Sequence, residues 1–327
     1  MRVAFVSLET NTRLPPGGER RPELLVRAFE SSDLSVEPFT TTSTADDGWS
    51  RVGRWSLPGT IRGLNPDVVH VIGGRGLTAT LAALGARVGA DGLVLELLSV
   101  DTPPGFARRT ATAHVVPSEL VATPLREAGV ADSSITIVPP PVDVSRLRGV
   151  KPARDLDIVA TSRFDADGNV EDLLLALGQL RRRDWTATVL GDGPRRERCV
   201  GLARDLRIDD RVRFPGRVPL EGRLARYRGA HVYVQTARRC ETPIELARAL
   251  VAGCVGVIEY HENSCAPELI AGRERGIRVT SGDSLAAAIE EAGSFEHLTL
   301  DSAAVATFGE EAVTDSYRTV YESVLEV

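Results

Sequence analysis

Short apolar runs alternate with amphipathic stretches along the whole of this 327-residue chain. In the first half the runs are Arg2–Leu8, Asp67–Ile72, Leu93–Leu98, His114–Pro117 and Ile135–Val138, with helical patterns at 20–31, 76–89 and 118–128. In the second they are Asp157–Thr161, Thr186–Leu190, Val212–Phe214, His231–Gln235, Val255–Glu259 and Ile277–Thr280. Helical patterns at 170–183, 195–206, 220–228, 243–252 and 284–292 lie between these. Continuous apolar strands alternating with helices predict parallel sheets covered on both faces. Two such series in tandem predict an α/β chain of two Rossmann-like, doubly wound domains. Length agrees, because single cores stop growing at about 250–300 residues.

Pro139, Pro140 and Pro141, followed by Val142-Asp143, mark the hinge, since proline has no N–H for a central ladder. The polar stretch on to Arg154 reads as a linker, and residues 40–60, rich in Thr, Ser, Asp and Gly, read as a loop. A last helix is expected at about 310–325. The domains are therefore placed at 1–145 and 146–307, with 308–327 as a C-terminal helix returning to the first.

Composition narrows the partners. Residues 1–150 carry 15 Arg against 16 acidic residues, and the whole chain has a net charge of −6. Neither half offers the basic face that a phosphate backbone requires, so no nucleic-acid partner is expected. Cys199, Cys240, Cys254 and Cys265 lack two-residue spacing, and the five histidines lack helical ligand spacing, so no metal site is expected. No apolar run reaches the roughly 18–20 residues that span a bilayer, and no signal-peptide pattern precedes the first strand. A cytoplasmic protein is expected. Arg20, Arg21 and Arg27 read either as a peripheral contact with the membrane's inner face or as a solvated helix face.

Ligands of such sheets bind beyond the carboxyl ends of the strands, so each strand-to-helix turn is a candidate. Gly17-Gly18 follows the first strand and reads as a ligand-approaching backbone or a flexible turn. Gly191-Asp192-Gly193-Pro194 follows another, with Pro194 suited to the first helical position. It reads as an anion site or a plain turn. Arg163 reads as a diphosphate clamp or as the partner of Asp165 or Asp167, with Asn169 capping the next helix. Thr242-Pro243-Ile244-Glu245 has the spacing of a capping box, which predicts a helix start whose positive end favours an anion. Glu241, just outside it, is free for sugar hydroxyls, whereas Glu245 is occupied by the cap.

From Ile158 to Ile270 the sequence resembles the donor domain of glycosyltransferase family 4, a retaining family of GT-B fold. Ala160-Thr-Ser-Arg163-Phe164 resembles its strand ending in Gly-Arg-Leu. Val189 to Pro194 contains its Gly-Asp-Gly-Pro turn. Asp210 to Val218, followed by Tyr227, resembles its Val-x-Phe-x-Gly segment and later Tyr. Ala249-Leu-Val-Ala-Gly-Cys254 resembles the run after its acid pair. Pro66 to Val71, Ile137 to Asp143, and Phe308 with Tyr317 and Tyr321 extend the likeness over some 300 residues.

The resemblance implies two domains facing a cleft. It also implies a nucleoside-diphosphate sugar, UDP- or GDP-linked, as donor and a glycan or lipid-linked acceptor. No cofactor or metal is implied. Catalysis is implied for Arg163, Glu241 and Asp101. Donor binding is implied for Gly17, Gly18, Gly191, Asp192, Gly193, Val218, Tyr227, Thr242, Pro243, Ile244 and Glu245.

Departures are as informative. The family's two glutamates, eight positions apart, fall on Cys240 and Arg248, with Glu241 and Glu245 displaced beside them. Losing a carboxylate that holds the ribose forgoes roughly 1.5–3 kcal/mol. On that reading Arg248→Glu is expected to tighten UDP binding. The family's phosphate-binding Lys is replaced at Gly168-Asn169, and Asp101 is the nearest polar candidate where a cleft histidine is usual. The polar segment Val257 to Leu269 suggests a divergent subgroup resembling sequences from halophilic archaea. A GT-B chain that has lost catalysis and serves as a scaffold remains the alternative. A nicotinamide enzyme is disfavoured, because Ser7-Leu-Glu-Thr-Asn follows the first strand where a Gly-x-Gly-x-x-Gly turn belongs.

Overall fold

The computed structural model describes residues 1–8, 20–30, 32–41, 48–73, 76–181 and 184–326. These fall into two compact units, one of residues up to Pro141 with Glu310–Val327, the other of Val142–Gly309.

The first unit contains β1 (Arg2–Ser7), α1 (Arg21–Glu30), β2 (Ser35–Thr40), β3 (Ser50–Arg51), α2 (Leu57–Leu64), β4 (Val68–Ile72) and α3 (Gly76–Gly89). It continues with β5 (Gly92–Glu96), α4 (Gly105–Thr110), β6 (Ala113–Val116), α5 (Glu119–Glu127) and β7 (Ile135–Ile137). Its seven strands lie in the order β3-β2-β1-β4-β5-β6-β7, all parallel. Along β1, Val3 and Phe5 enter one apolar cluster while Ala4 and Val6 enter the other. The sheet is thus buried on both faces, as the unbroken apolar runs predicted.

The second unit contains α6 (Val144–Gly149), β8 (Ile158–Thr161), α7 (Val170–Gln179), β9 (Ala187–Leu190), α8 (Arg196–Asp205), β10 (Val212–Gly216), α9 (Leu220–Gly229) and β11 (Val232–Gln235). Then come β12 (Arg239–Cys240), α10 (Ile244–Val251), β13 (Val255–Glu259), β14 (Asn263–Ser264), α11 (Ala266–Ile270), β15 (Gly276–Val279), α12 (Leu285–Ala292) and α13 (Ser302–Phe308). Its main sheet is again parallel, in the order β10-β9-β8-β11-β13-β15.

The last helix, α14 (Glu310–Leu325), belongs to the first unit and packs on α1, β4 and β5. Val313, Tyr317, Val320, Tyr321 and Val324 form its buried stripe. Beneath it lies a polar network. The Arg21 guanidinium pairs with Glu96 and donates to the Val138 carbonyl at 2.7 Å. The Tyr317 hydroxyl donates to Glu96 at 2.8 Å, and His70 meets the Tyr321 hydroxyl at 2.7 Å. Burial pushes the Glu96 carboxyl up, but the Arg21 guanidinium and His70 outweigh it and hold the group below its ordinary range.

Several expectations are corrected. Residues 144–154 are not all linker: Asp143 caps α6 by accepting from the Arg146 N–H at 2.7 Å, and Leu147 is buried. Of the expected 40–60 loop, 42–47 lie outside the described residues, while β3 and the start of α2 occupy its end. Strand β2 was passed over because it holds Pro38. The Ser35 and Thr41 N–H groups donate to β1 at Met1 and Ser7. By the two-residue period, the Pro38 nitrogen therefore faces away from β1, beyond the reach of the two-residue β3. Arg21 is buried, which removes the membrane and the solvated-face readings of that residue, and Arg20 pairs with Glu23.

Candidate functional site

In the second unit the chain runs outward from β8 through β9 to β10, then returns to place β11 on the other side of β8. The carboxyl ends of β8 and β11 are therefore a topological switch point, where an open α/β sheet leaves a crevice. The loops after these two strands are knitted together. The Arg238 N–H donates to the Asp167 carbonyl at 2.8 Å, and the Thr236 hydroxyl donates to the Asn169 carbonyl at 2.8 Å.

Arg163 leaves β8 at this point. Its guanidinium lies 3.4 Å from Asp165 and 3.9 Å from Asp167, and its side chain is 32% exposed. Both carboxylates expected as its partners are present. Partly exposed pairs of this kind are worth about 0–1 kcal/mol. The guanidinium is thus held near the switch point yet can exchange its partners for a more strongly charged anion.

The turn Gly191–Gly193 after β9 abuts the β8 loop. Gly191 has φ of 121°, and a Cβ there would lie 1.9 Å from the Ser162 carbonyl oxygen. The Phe164 N–H donates to the Asp192 carbonyl at 3.3 Å, and the Arg195 N–H donates to the Phe164 carbonyl at 2.8 Å. Glycine is required here by backbone packing. Helix α8 begins only at Arg196, so Pro194 is not its first residue. Asp192 lies 3.4 Å from Arg217, and Val218 sits half-buried between β10 and α9.

The expected capping box at α10 does not form. Pro243 is the N-cap rather than the first helical residue, and no side chain caps the helix. The Ile244 N–H turns back to the Thr242 carbonyl at 2.9 Å. Glu245 instead accepts from the Tyr227 hydroxyl at 2.5 Å and faces Arg248 at 2.9 Å and Arg223 at 3.1 Å. Tyr227 also meets the Thr161 hydroxyl at 2.8 Å and is fully buried. Burial and the neighbouring carboxylate push its phenol well above the ordinary range. Tyr227 and Glu245, expected as donor ligands, bond to each other, with Tyr227 fully buried and Glu245 partly so. Local spacing suggested the cap, but two buried guanidiniums are stronger partners for a carboxylate than a backbone N–H.

Glu241 faces Arg239 at 3.0 Å in another partly exposed pair. Cys240 is the residue that the resemblance aligned with the first of two glutamates. Burial raises its thiol to about 11, against the pull of Gln235 and the Thr242 backbone. Asp101, in the first unit, accepts from the Ser99 hydroxyl at 3.2 Å. Gly17 and Gly18 lie outside the described residues.

Three residues that sequence reasoning missed or misread also gather at the switch point. Asn169 is in the left-handed region, with φ of 49°, and does not cap α7. Its amide donates to Asp172 at 2.7 Å and to Glu259 at 3.2 Å. Glu259 ends β13 and lies 3.4 Å from His261. Burial raises the Glu259 carboxyl above its ordinary value, His261 partly offsets this, and Asp172 adds to it. The signal was available: a carboxylate closing an apolar strand at the ligand-bearing edge. Among the described residues no cluster of three or more His, Cys, Asp or Glu is placed to hold a metal ion.

Residues 144–299 match the family model described as glycosyl transferases group 1. Fold and match together define a protein of GT-B fold, built of two parallel-sheet α/β domains, whose second domain is similar to the group 1 glycosyl transferases over slightly less than half of the chain. Among curated proteins the chain is similar to the lipopolysaccharide 1,6-galactosyltransferase of Escherichia coli (strain K12), at 33% identity over 112 residues. That stretch is 32% of this chain and 30% of the relative, so the match spans under a third of the relative's length. Among solved structures, the apo form of the lipopolysaccharide outer core galactosyltransferase WaaB has a TM-score of 0.78 at 16% identity, covering 99% of both chains. Anabaena Alr3699/HepE in complex with UDP has a TM-score of 0.68 at 15% identity, covering 100% of this chain and 98% of that one. At such identities the likeness is one of fold.

Proposed function

We propose that this chain transfers a hexose from a nucleoside-diphosphate sugar, UDP-linked in the first instance, to a glycan or lipid-linked acceptor with retention of configuration. The observation that carries the reading is the coincidence of the group 1 family match with the switch point bearing Arg163. The UDP complex of a structural neighbour supports the choice of base.

In this reaction the bond from the sugar's anomeric carbon to the diphosphate breaks, and a bond to the acceptor oxygen forms on the same face. The acceptor's proton passes to the departing phosphate oxygen. Negative charge grows on the leaving group, so its stabilisation is the main task of the protein. Arg163 exchanges Asp165 and Asp167 for the diphosphate. The uncapped first turn of α10 supplies N–H groups and the positive end of its dipole. Gly191 and Gly193 keep the neighbouring turn close against the β8 loop. Glu259 and Asn169, at the end of β13 and the start of α7, are the groups this reading assigns to the sugar hydroxyls. Neither metal nor cofactor takes part.

Calorimetric titration of the full chain with UDP, GDP, ADP and NAD, at low and at high salt, tests this. Micromolar binding of one nucleoside diphosphate without added metal supports the reading and identifies the base. A folded sample that binds none of them overturns it in favour of a chain that keeps only the fold.

A further inference from the structure

A nucleoside diphosphate at the switch point brings two phosphates, and Arg163 is a single cation. The loop from β8 to α7 that carries it has no second one. Residues 164–169 include Asp165 and Asp167 and neither Lys nor Arg. Nor is there room for one at position 168. A Cβ on Gly168 would lie 1.7 Å from the Arg163 carbonyl oxygen and 2.5 Å from the Ser162 hydroxyl oxygen, so no side chain fits there while the loop keeps its course.

The loop after β11 lies against this spot. The Thr236 hydroxyl donates to the Asn169 carbonyl at 2.8 Å and lies 3.5 Å from the Gly168 carbonyl. The Arg238 N–H donates to the Asp167 carbonyl at 2.8 Å. Asp167 is also the residue whose carboxylate lies 3.9 Å from the Arg163 guanidinium. Arg163 and Arg238 thus approach one residue, Asp167, from the two strands that border the crevice.

The Arg238 backbone is fixed, but its guanidinium is not. Among the described residues its one ion pair is with Asp172, at 3.9 Å, which is beyond hydrogen-bonding range, and the side chain is 56% exposed. Asp172 keeps a partner without it, because it accepts from the Asn169 amide at 2.7 Å. Arg239, the next residue, is held more closely, at 3.0 Å from Glu241. The Arg238 charge also reaches Glu259, where it opposes the upward push of burial. Glu259 is the sugar end of the site on the donor reading, so Arg238 stands on that side of Arg163.

Given the donor reading, on which this rests, we propose that Arg238 is the second cation of the diphosphate site and binds the sugar-bearing phosphate from the β11 side. It leaves Asp172 and takes phosphate oxygens, in the space beside Gly168 that the β8 loop leaves without a side chain. The exchange costs little, since an exposed and loose ion pair is worth about 0–1 kcal/mol. A guanidinium fork matches two phosphate oxygens. Negative charge grows on that phosphate as its bond to the sugar breaks, so the contact strengthens toward the transition state.

The test is calorimetric titration of the full chain with UDP, GDP and ADP and with the matching monophosphates. The parent is compared with Arg238→Ala, Arg238→Lys and Arg204→Ala. Arg204 is exposed in the last turn of α8, about 12 Å along that helix from its start at the carboxyl edge, and its loss removes the same formal charge. Arg238→Ala lowers affinity for the diphosphate that the parent binds by about tenfold, and for its monophosphate by much less. Arg238→Lys restores part of the loss. Arg204→Ala leaves both affinities unchanged. The melting temperature of Arg238→Ala stays close to that of the parent, which separates lost contact from lost fold. An Arg238→Ala variant that binds the diphosphate as the parent does overturns this assignment and leaves the donor reading standing. Equal losses for diphosphate and monophosphate also overturn it, since the residue would not meet the sugar-bearing phosphate. A folded parent that binds none of the nucleotides takes the donor reading down together with the assignment.

Discussion

The Tyr227 hydroxyl donates a 2.5 Å hydrogen bond to Glu245, from α9 to the first turn of α10. The same carboxylate faces Arg223 and Arg248, whose side chains are nearly inaccessible. Glu245 is the second residue of α10, so the cluster ties the first turn of that helix to α9. Glu245→Ala removes the anion that two buried guanidiniums face. The expected loss is about 3–5 kcal/mol, the range for breaking a buried ion pair from one side. Denaturant unfolding measures it, and a loss below about 1 kcal/mol, the range of an exposed pair, would remove the cluster's structural role.

Arg248→Glu, expected from the sequence to improve UDP binding, is now expected to do the reverse. Arg248 is buried and pairs with Glu245 at 2.9 Å. A glutamate there sets a second carboxylate against the first in a place where charge is poorly solvated. The variant should melt well below the parent and bind UDP no better, as thermal unfolding with and without UDP would show.

Arg163→Ala separates binding from stability. The side chain's two ion pairs are partly exposed and loose. Removing them should change unfolding free energy by no more than about 1 kcal/mol. Nucleoside-diphosphate affinity should fall about tenfold or more, because a charge-assisted contact is lost. Unchanged affinity would take Arg163 out of the diphosphate site.

Gly191→Ala should be among the most damaging small changes in the second unit. At φ of 121° a side chain is strained, and the new Cβ would strike the Ser162 carbonyl. The cost is about 1–3 kcal/mol from backbone strain alone, plus the displacement of the β8 loop. Nucleotide affinity, read by calorimetry on the folded fraction, should fall with it.

His114 makes the first unit acid-sensitive. Burial, with the Arg108 cation adding to it, lowers its pKa from 6.5 to about 4. Between those values the unfolded chain takes up a proton that the folded one refuses, so stability is complete above 6.5 and falls as pH drops toward 4. The loss is on the order of 3 kcal/mol. His114→Gln should flatten this part of the pH–stability curve, as urea unfolding across the range would reveal.

Most of the strands and the longer helices were legible because each sheet is buried on both faces. The apolar runs at 2–8 and 255–259 needed no partner to be recognised, and the prolines at 139–141 stand at the division between the units. Strand β2 and helix α2 were not legible, since Pro38 and the Gly- and Pro-bearing start of α2 imitate a loop. Gly191 and Arg163 were singled out because the carboxyl edge of a parallel sheet is a short list of turns, and the structure puts both beside β8.

The sequence by itself therefore determined the fold class and the two-unit order. These follow from local periodicity and from residues with one conformational use. Only the tertiary structure decided which charged groups are spent inside the protein. Glu245 was taken from its cap by Arg223, 22 positions earlier, and Arg248; Glu259 was joined to Asn169, 90 positions earlier. Pairings of buried charge are settled by distances between remote segments, and no local pattern encodes those distances.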